Sequence, residues 1–539
     1  MQLKLILINA WEKGCSDTNF LSPPIGLWRI KSFLDRYDHK IDIEVFDPNL
    51  YEDPYSELDR LFLRNEFHII GFSPLYLTLE NDISLMLYLL EKNPDSLFIA
   101  GGQEAAFDHQ FLFDRSPIQI IVVGEGEKPM LEILRKIQIH GLNGINDDLS
   151  LLMEVPGLYL KNIKGSAGDG TTAHLAPLTQ EEFTDITFLT DFSEMPINKY
   201  WNLLASKYSA EGLSDEDISK KIYTIKPFTS SFCPFRCIFC SSTNFFRKAS
   251  GCYPKIASLS AEHMYEYLKL ILKNQPLTRT ILFKDDNFFV RGFETDVREI
   301  LIRLKKLKGE YPFLSFAAKA RIDTFAKNPG LLDMCKEAGF FFISYGVESF
   351  SKKELNYMAK GIDPLTSKQV LKKTRELGIN SVAYVILTTP VTEVVDMFTT
   401  IDECINLIGH GDTVKMFTHL IPIPGSLLAK DNEIKDLITT KEFRIPGYDM
   451  KIEKAIKVNP RDEKTRELIN EYECRIDEES EMWKKKFGGR IHFVSEISTL
   501  IKFRLLYEIA KEKKFVPTEH AEEKIEHVES MIFPIPVSL

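Results

Sequence analysis

Residues 221–240 read KIYTIKPFTSSFCPFRCIFC, an apolar stretch of strand character that runs into three cysteines within eight residues. Five further segments of the same character follow: TRTILFKD (278–285), LSFAAKA (314–320), FFFISYG (340–346), INSVAYVIL (379–387) and TVKMFTHL (413–420). A stretch of helical periodicity separates each from the next. After the first strand, Ser260 is a fitting N-cap, and from about Ala261 the residues Met264, Leu268, Ile271 and Leu272 share one helix face. Six strand-helix units in succession predict a partial (β/α) barrel, whose functional groups gather at the carboxyl ends of the strands. Cys233, Cys237 and Cys240 follow the first strand directly, so this geometry puts all three thiols on one barrel loop.

Their spacing is C-x3-C-x2-C. Thiolates hold iron-sulfur clusters, and a 4Fe-4S cubane with only three protein ligands keeps one iron open to a chelating molecule. A structural zinc site is the alternative, but zinc ribbons pair C-x2-C with a second ligand pair, and no fourth Cys or His stands at suitable spacing. The other cysteines, at 15, 252, 335, 404 and 474, are scattered.

This loop, with the aromatic Phe239 before its last cysteine, resembles the fingerprint of the radical S-adenosylmethionine superfamily. The resemblance implies that the open iron binds the amino and carboxylate groups of S-adenosylmethionine. One electron from the cluster then breaks a carbon-sulfur bond and releases a 5′-deoxyadenosyl radical. TILFKDDNFFV resembles the family's second-strand segment, with Asp285, Asp286 and Asn287 where many relatives carry Gly-Gly-Glu; Asp286 and Asn287 are the cofactor contacts implied. Arg321, after the third strand, is a candidate partner for the cofactor carboxylate, since a guanidinium binds one bidentately. YGVESFSKKELNYMAKG (345–361) resembles the fourth-strand motif and implicates Glu348 at the ribose or sulfonium. The electron would come from a donor such as flavodoxin or ferredoxin.

Ahead of this core, strands near LKLILIN (3–9), IDIEVFD (41–47), HIIGFS (68–73), LFIAGG (97–102) and IQIIVVG (118–124) alternate with amphipathic helical segments. That pattern predicts a doubly wound, Rossmann-like α/β domain, which binds ligands beyond the carboxyl ends of its strands. Asp47, Ser73, Gly101, Gly102, Gly124, Glu125 and Gly126 lie at or beside those ends. The landmarks SPPIGLWRIKSFL, IIGFSP, AGGQEAA and VVGEGEKP resemble, in order, the cobalamin-binding domain that precedes the radical core in one large subgroup. The loop NAWEKGCSDTNFLSPP (9–24) lacks the Asp-x-His-x-x-Gly signature of an axial histidine. The resemblance therefore implies His-off cobalamin, its lower face covered near Leu75 or Tyr76.

The chain thus divides into a cobalamin-binding domain (1–140), a connecting region (141–220) with a hairpin near 157–175, a radical core barrel (221–430) and a helical carboxyl-terminal cap or substrate domain (431–539). A formal charge of −11 argues against a nucleic-acid partner. With no bilayer-length apolar run and no export signal, the sequence reads as soluble and cytoplasmic. The function expected is a methyltransferase acting on an unactivated carbon of a small-molecule or natural-product substrate. A cyclase or ring-rearranging enzyme without methyl transfer is the alternative within the subgroup, and a cobalamin-binding sensor or carrier is the non-enzyme one. A methylthiotransferase would need a second cysteine triad, and the first domain has only Cys15. His419 and Tyr384 are minor candidates for substrate contact. Pro424 and Gly425 form a turn after the sixth strand.

Overall fold

The computed structural model describes residues 3–14, 21–38, 40–161, 170–208, 214–291, 296–328, 330–486 and 495–532. Cys15 and the rest of 15–20 in the 9–24 loop, and residues 162–169 of the expected hairpin, lie outside the described residues.

Five parallel strands, β1 (Leu3–Asn9), β2 (Ile41–Phe46), β3 (Ile69–Ser73), β4 (Leu97–Gly101) and β5 (Ile120–Val122), form the first sheet in the order β2-β1-β3-β4-β5. Its sixth strand, β6 (Leu158–Leu160), runs antiparallel to β5 at the edge and bridges to Thr171 through Tyr159. The sheet therefore draws its last strand from the segment read as a connector. Side chains of β1 alternate between faces, Leu5 and Leu7 entering one apolar cluster and Ile6 and Ile8 another. Helices thus cover both sides, and the strand order reverses between β1 and β3, where a ligand crevice opens in such sheets.

The second sheet is all parallel and follows chain order: β7 (Thr224–Ile225), β8 (Thr280–Phe283), β9 (Ser315–Arg321), β10 (Phe340–Glu348), β11 (Asn380–Thr388) and β12 (Thr413–His419). This is the six-stranded partial barrel. The helix Ala261–Asn274 starts as its sequence requires. Ser260 accepts from the His263 N–H at 3.1 Å, and Met264, Leu268, Ile271 and Leu272 are buried.

The intervening residues join the two sheets firmly. Tyr200 donates to Asp47 at 2.6 Å on the first-domain side, while Trp201 donates to the Thr224 carbonyl at 3.2 Å on the barrel side. One apolar cluster consequently runs from β1 through the connector into the barrel.

Among the described residues after Glu463 stand three helices, Glu463–Lys486, Ser495–Glu512 and Thr518–Ile532, and the second packs on β12 through Thr413–Glu496 and Thr499–Val414 hydrogen bonds. Ahead of these helices stands an antiparallel hairpin absent from the sequence reading, β13 (Ile438–Arg444) with β14 (Lys451–Val458). It reaches back to the first domain. Phe443, Ile445, Tyr448, Met450 and Ile452 join the apolar cluster on one face of the first sheet. Among the described residues, no helix is long and apolar enough to cross a membrane.

Candidate active site

The cysteine loop leaves β7 and is anchored before its first cysteine. Asp285, fully buried after β8, accepts from the Thr229 N–H (2.8 Å), Thr229 Oγ1 (2.6 Å), the Ser230 N–H (2.5 Å) and Ser230 Oγ (2.8 Å). The sequence reading named Asp285 only as part of a motif. Its work here is to hold the backbone that presents the thiols.

Three hydroxyls then fix the loop's exit. Ser241 Oγ donates to Gln103 Oε1 (2.7 Å), Ser242 Oγ to Asp286 Oδ2 (2.5 Å), and the Thr243 hydroxyl reaches the Cys233 carbonyl (2.6 Å). The loop is also gripped from outside, the Ile238 N–H donating to the Met358 carbonyl (3.3 Å) and the Leu428 N–H to the Ile238 carbonyl (2.8 Å). Phe239 is half-buried in the same place, in an apolar cluster with Leu355, Met358 and Leu428.

Burial pushes the Cys233 thiol up to about 12 and the Cys240 thiol up to about 11, with the Asp286 carboxylate adding to both. Thiols so placed give up their protons only to a strong positive centre, and iron is one. Among the described residues, no three His, Cys, Asp or Glu side chains converge as a single metal ion would need. A cubane instead takes each thiolate at a separate iron. The donor set fits such a cluster.

Arg321 is buried and fully engaged. It donates through Nε to Asp323 (3.1 Å), through Nη2 to the Lys360 carbonyl (2.5 Å) and through Nη1 towards Cys237 Sγ (3.6 Å), and its guanidinium lies 3.9 Å above the centre of the Phe235 ring. Its contacts in this structure are therefore with the Cys237 sulfur and with other groups of the protein itself. Glu348 ends β10 with φ +67° at a register shift after Gly346, and its carboxylate accepts from Lys360 Nζ at 2.9 Å. A left-handed non-glycine residue costs about 1–3 kcal/mol and marks functional ground. Asn287 is buried with both side-chain polar atoms unpartnered among the described residues, a cost of about 1–3 kcal/mol that a polar ligand would relieve. Lys360, Gln103 and the Ser-Ser-Thr run escaped the sequence reading; the last, three hydroxyls directly after Cys240, was a usable signal.

A cavity of about 570 Å³ opens at the β1/β3 switch point. Ser73, Gly101, Gly102, Gly124, Glu125 and Gly126 all line it, together with Leu75 and Gln103, and its wall is mainly apolar. Gly102 (φ +89°) and Gly124 (φ +107°) hold conformations that only glycine adopts freely, and a Cβ at Gly124 would fall 2.9 Å from that of Ala249. Burial, with Glu127 adjacent, pushes the Glu125 carboxyl up to about 7. Asp47 is not on the cavity; it is buried against Tyr200 and Asn49. Tyr76 turns away too, its hydroxyl donating to the Ala455 carbonyl of the hairpin at 2.9 Å.

The cavity's far wall belongs to the barrel, through Lys226, Phe228, Phe245 and Lys284. Gln103 lines the cavity and also receives Ser241, the residue after Cys240. At the far end of the barrel sheet, His419 contacts Thr388 Oγ1 (2.8 Å) with Nδ1 and Glu473 Oε1 (2.7 Å) with Nε2, so both ring nitrogens are engaged within the protein. Tyr384 stacks on Phe417 with centroids 6.1 Å apart. Gly425 seats its turn against Phe107, whose ring leaves no room for a Cβ, and accepts from Asn244 Nδ2 at 2.9 Å.

Residues 228–402 match the model of the Radical SAM superfamily. A protein described as an uncharacterized methyltransferase of Pyrococcus horikoshii is 26% identical over 427 residues, 78% of this chain and 81% of its own length. The fold also matches the cobalamin-dependent S-adenosylmethionine radical enzyme OxsB, solved with aqua-cobalamin bound (TM-score 0.65, 18% identity, 98% of this chain and 76% of that one). It matches as well the radical S-adenosylmethionine methyltransferase TsrM of Kitasatospora setae, solved with tryptophan and an S-adenosylmethionine analogue (TM-score 0.59, 14% identity, 83% and 79%). With three cysteines in a loop at the head of a six-stranded partial barrel and the superfamily's own model matching across it, this chain carries a radical SAM domain over residues 228–402.

Proposed function

We propose that the protein is a cobalamin-dependent radical SAM methyltransferase that methylates an unactivated carbon of a small-molecule substrate. One observation carries this reading: the cavity at the first sheet's switch point abuts the cysteine loop, since Gln103 on its wall accepts from Ser241, the residue after Cys240, and Phe245 lines it from the helix that follows the loop. When bound, the cluster and S-adenosylmethionine supply a 5′-deoxyadenosyl radical, and cobalamin supplies a methyl carrier. Cys233, Cys237 and Cys240 would hold the cluster. Asp286, the unpartnered amide of Asn287 and the strained Glu348 would hold S-adenosylmethionine, while Arg321 steadies Cys237 from behind. Ser73, Gly101, Gly102, Gly124, Glu125 and Gly126 would hold cobalamin, the glycines letting the backbone approach a large planar ligand. The names of the Pyrococcus relative and of TsrM support methyl transfer, and those of OxsB and TsrM support the cofactors.

The test is anaerobic purification with iron, sulfide and cobalamin supplied, spectra for both chromophores, and product analysis after turnover with S-adenosylmethionine. The expected products include both S-adenosylhomocysteine and 5′-deoxyadenosine. Formation of 5′-deoxyadenosine without S-adenosylhomocysteine or any methylated product would replace methyl transfer with cyclisation or rearrangement. A chain that takes up neither cluster nor cobalamin would end the reading altogether.

A further inference from the structure

Each sulfur of the cysteine loop accepts one N–H, and the three donors are not alike. Cys233 takes the Phe235 backbone N–H and Cys240 the Ser242 backbone N–H, both neutral. Cys237, the one buried cysteine of the three, takes Nη1 of Arg321 at 3.6 Å. Among the described residues this is the only side-chain donor to any of the three sulfurs, and it carries a full positive charge. Asp286 acts in the opposite sense on Cys233 and Cys240, and Lys360, which also acts on Cys240, is held by Glu348 at 2.9 Å. The charge around the three sulfurs is therefore lopsided, negative at two and positive at Cys237.

The Arg321 charge is not cancelled where it stands. Its carboxylate partner Asp323, at 3.1 Å, is shared with Lys327 at 2.7 Å, so two cations face one anion. The Lys360 carbonyl and the Phe235 ring clamp the guanidinium, and at 7% exposed it is poorly screened by salt. A guanidinium kept for a bidentate carboxylate would hold its fork open. Here all three nitrogens already have partners within the protein. Reduction adds one negative charge to an iron-sulfur cluster, and donors and positive charge at its sulfurs favour the reduced state. We infer that Arg321 sets the reduction potential of the cluster through the sulfur of Cys237, in place of binding the carboxylate of S-adenosylmethionine. This rests on the reading that Cys233, Cys237 and Cys240 hold a cubane. The step it biases is a one-electron reduction: a low-potential reductant loses the electron, the cluster gains it, and no bond or proton changes place. Arg321 touches no reacting atom and acts through Cys237.

The experiment is an anaerobic redox titration of the cluster-loaded enzyme without S-adenosylmethionine, followed by absorbance and electron paramagnetic resonance. Calorimetric binding of S-adenosylmethionine to the oxidised enzyme is measured beside it. Arg321→Gln is expected to make the cluster about tenfold or more harder to reduce at a fixed potential, a shift of about 59 mV to the negative for one electron, with S-adenosylmethionine affinity nearly unchanged. Asp323→Asn keeps an acceptor for Nε and removes the opposing charge, so its potential moves the other way, to less negative values. General damage to the loop would not give two shifts of opposite sign. If Arg321→Gln holds no cluster, the direction of the Asp323→Asn shift decides alone. A wild-type potential in Arg321→Gln, or a potential in Asp323→Asn that stays or falls, overturns the inference. A wild-type potential joined to much weaker S-adenosylmethionine binding in Arg321→Gln also overturns it and returns the guanidinium to the cofactor carboxylate. A wild-type chain that loads no cubane defeats the reading of the three cysteines instead.

Discussion

Glu348 and Lys360 form a nearly closed pair at the end of β10, 8% and 5% exposed, and Gly346 makes room for it. A Cβ at Gly346 would fall 2.6 Å from Glu348 Oε1 and 3.0 Å from Lys360 Nζ. Removing one member of a buried pair leaves an uncompensated charge, so Lys360→Met is expected to destabilise the fold by about 3–5 kcal/mol in urea unfolding. An unchanged midpoint would mean that Glu348 does not depend on Lys360. Gly346→Ala has a different signature: the pair must move, so binding of S-adenosylmethionine by the cluster-loaded enzyme weakens more than stability falls, as calorimetry set against the same unfolding curve would report. Glu348 was legible from its motif at the end of an apolar run. Lys360 was not, because a lysine after a short helix reads as solvated surface until the chain folds it over the strand.

At the scale of elements, the hairpin and the helix after it form a latch. Lys454 on β14 pairs with Glu80 and donates to the Tyr76 carbonyl at 3.1 Å in the first domain. Lys457 and His419 both meet Glu473 on the helix Glu463–Lys486. Burial raises the Glu473 carboxyl, but hydrogen bonds from His419 and Lys457 outweigh it and bring the value from 4.5 down to about 2. A depressed carboxylate stabilises the fold above its unfolded value and loses that contribution as pH falls towards the folded one. The stability gap between wild type and Glu473→Gln should therefore be full above pH 4.5 and close between 4.5 and about 2, measured as paired unfolding curves down the pH scale. A gap independent of pH would remove the carboxylate from the account. The eleven parallel strands were legible because each is an apolar run bounded by helical periodicity. The hairpin was not: ITTKEFR and KIEKAIKV carry charges throughout, and their apolar partners, including Phe46 and Leu58, lie some four hundred residues earlier.

For the whole molecule, the sequence disclosed two alternating strand series and their order, and with them the cavity and the cysteine loop, each as a separate site. It could not disclose that the two touch, since that contact depends on how the connector seats one sheet on the other through Tyr200–Asp47 and Trp201–Thr224. The junction between the sites narrows to one side-chain hydrogen bond, Ser241 to Gln103. Ser241 is buried, so Gln103→Leu strands its hydroxyl at a cost of about 1–3 kcal/mol and cuts the only side-chain hydrogen bond described between the cavity wall and the residue after Cys240. If occupancy of the cavity is felt at the cluster through this link, adding cobalamin to the cluster-loaded wild-type protein will alter the electron paramagnetic resonance spectrum of the reduced cluster. In Gln103→Leu cobalamin will still bind, because the remaining wall is intact, but the spectrum will stay as it was. Gln103→Glu keeps an acceptor opposite Ser241 and should restore the response. A response that survives in Gln103→Leu would assign the coupling to Phe245, the other residue common to the cavity and the helix that leaves the cysteine loop.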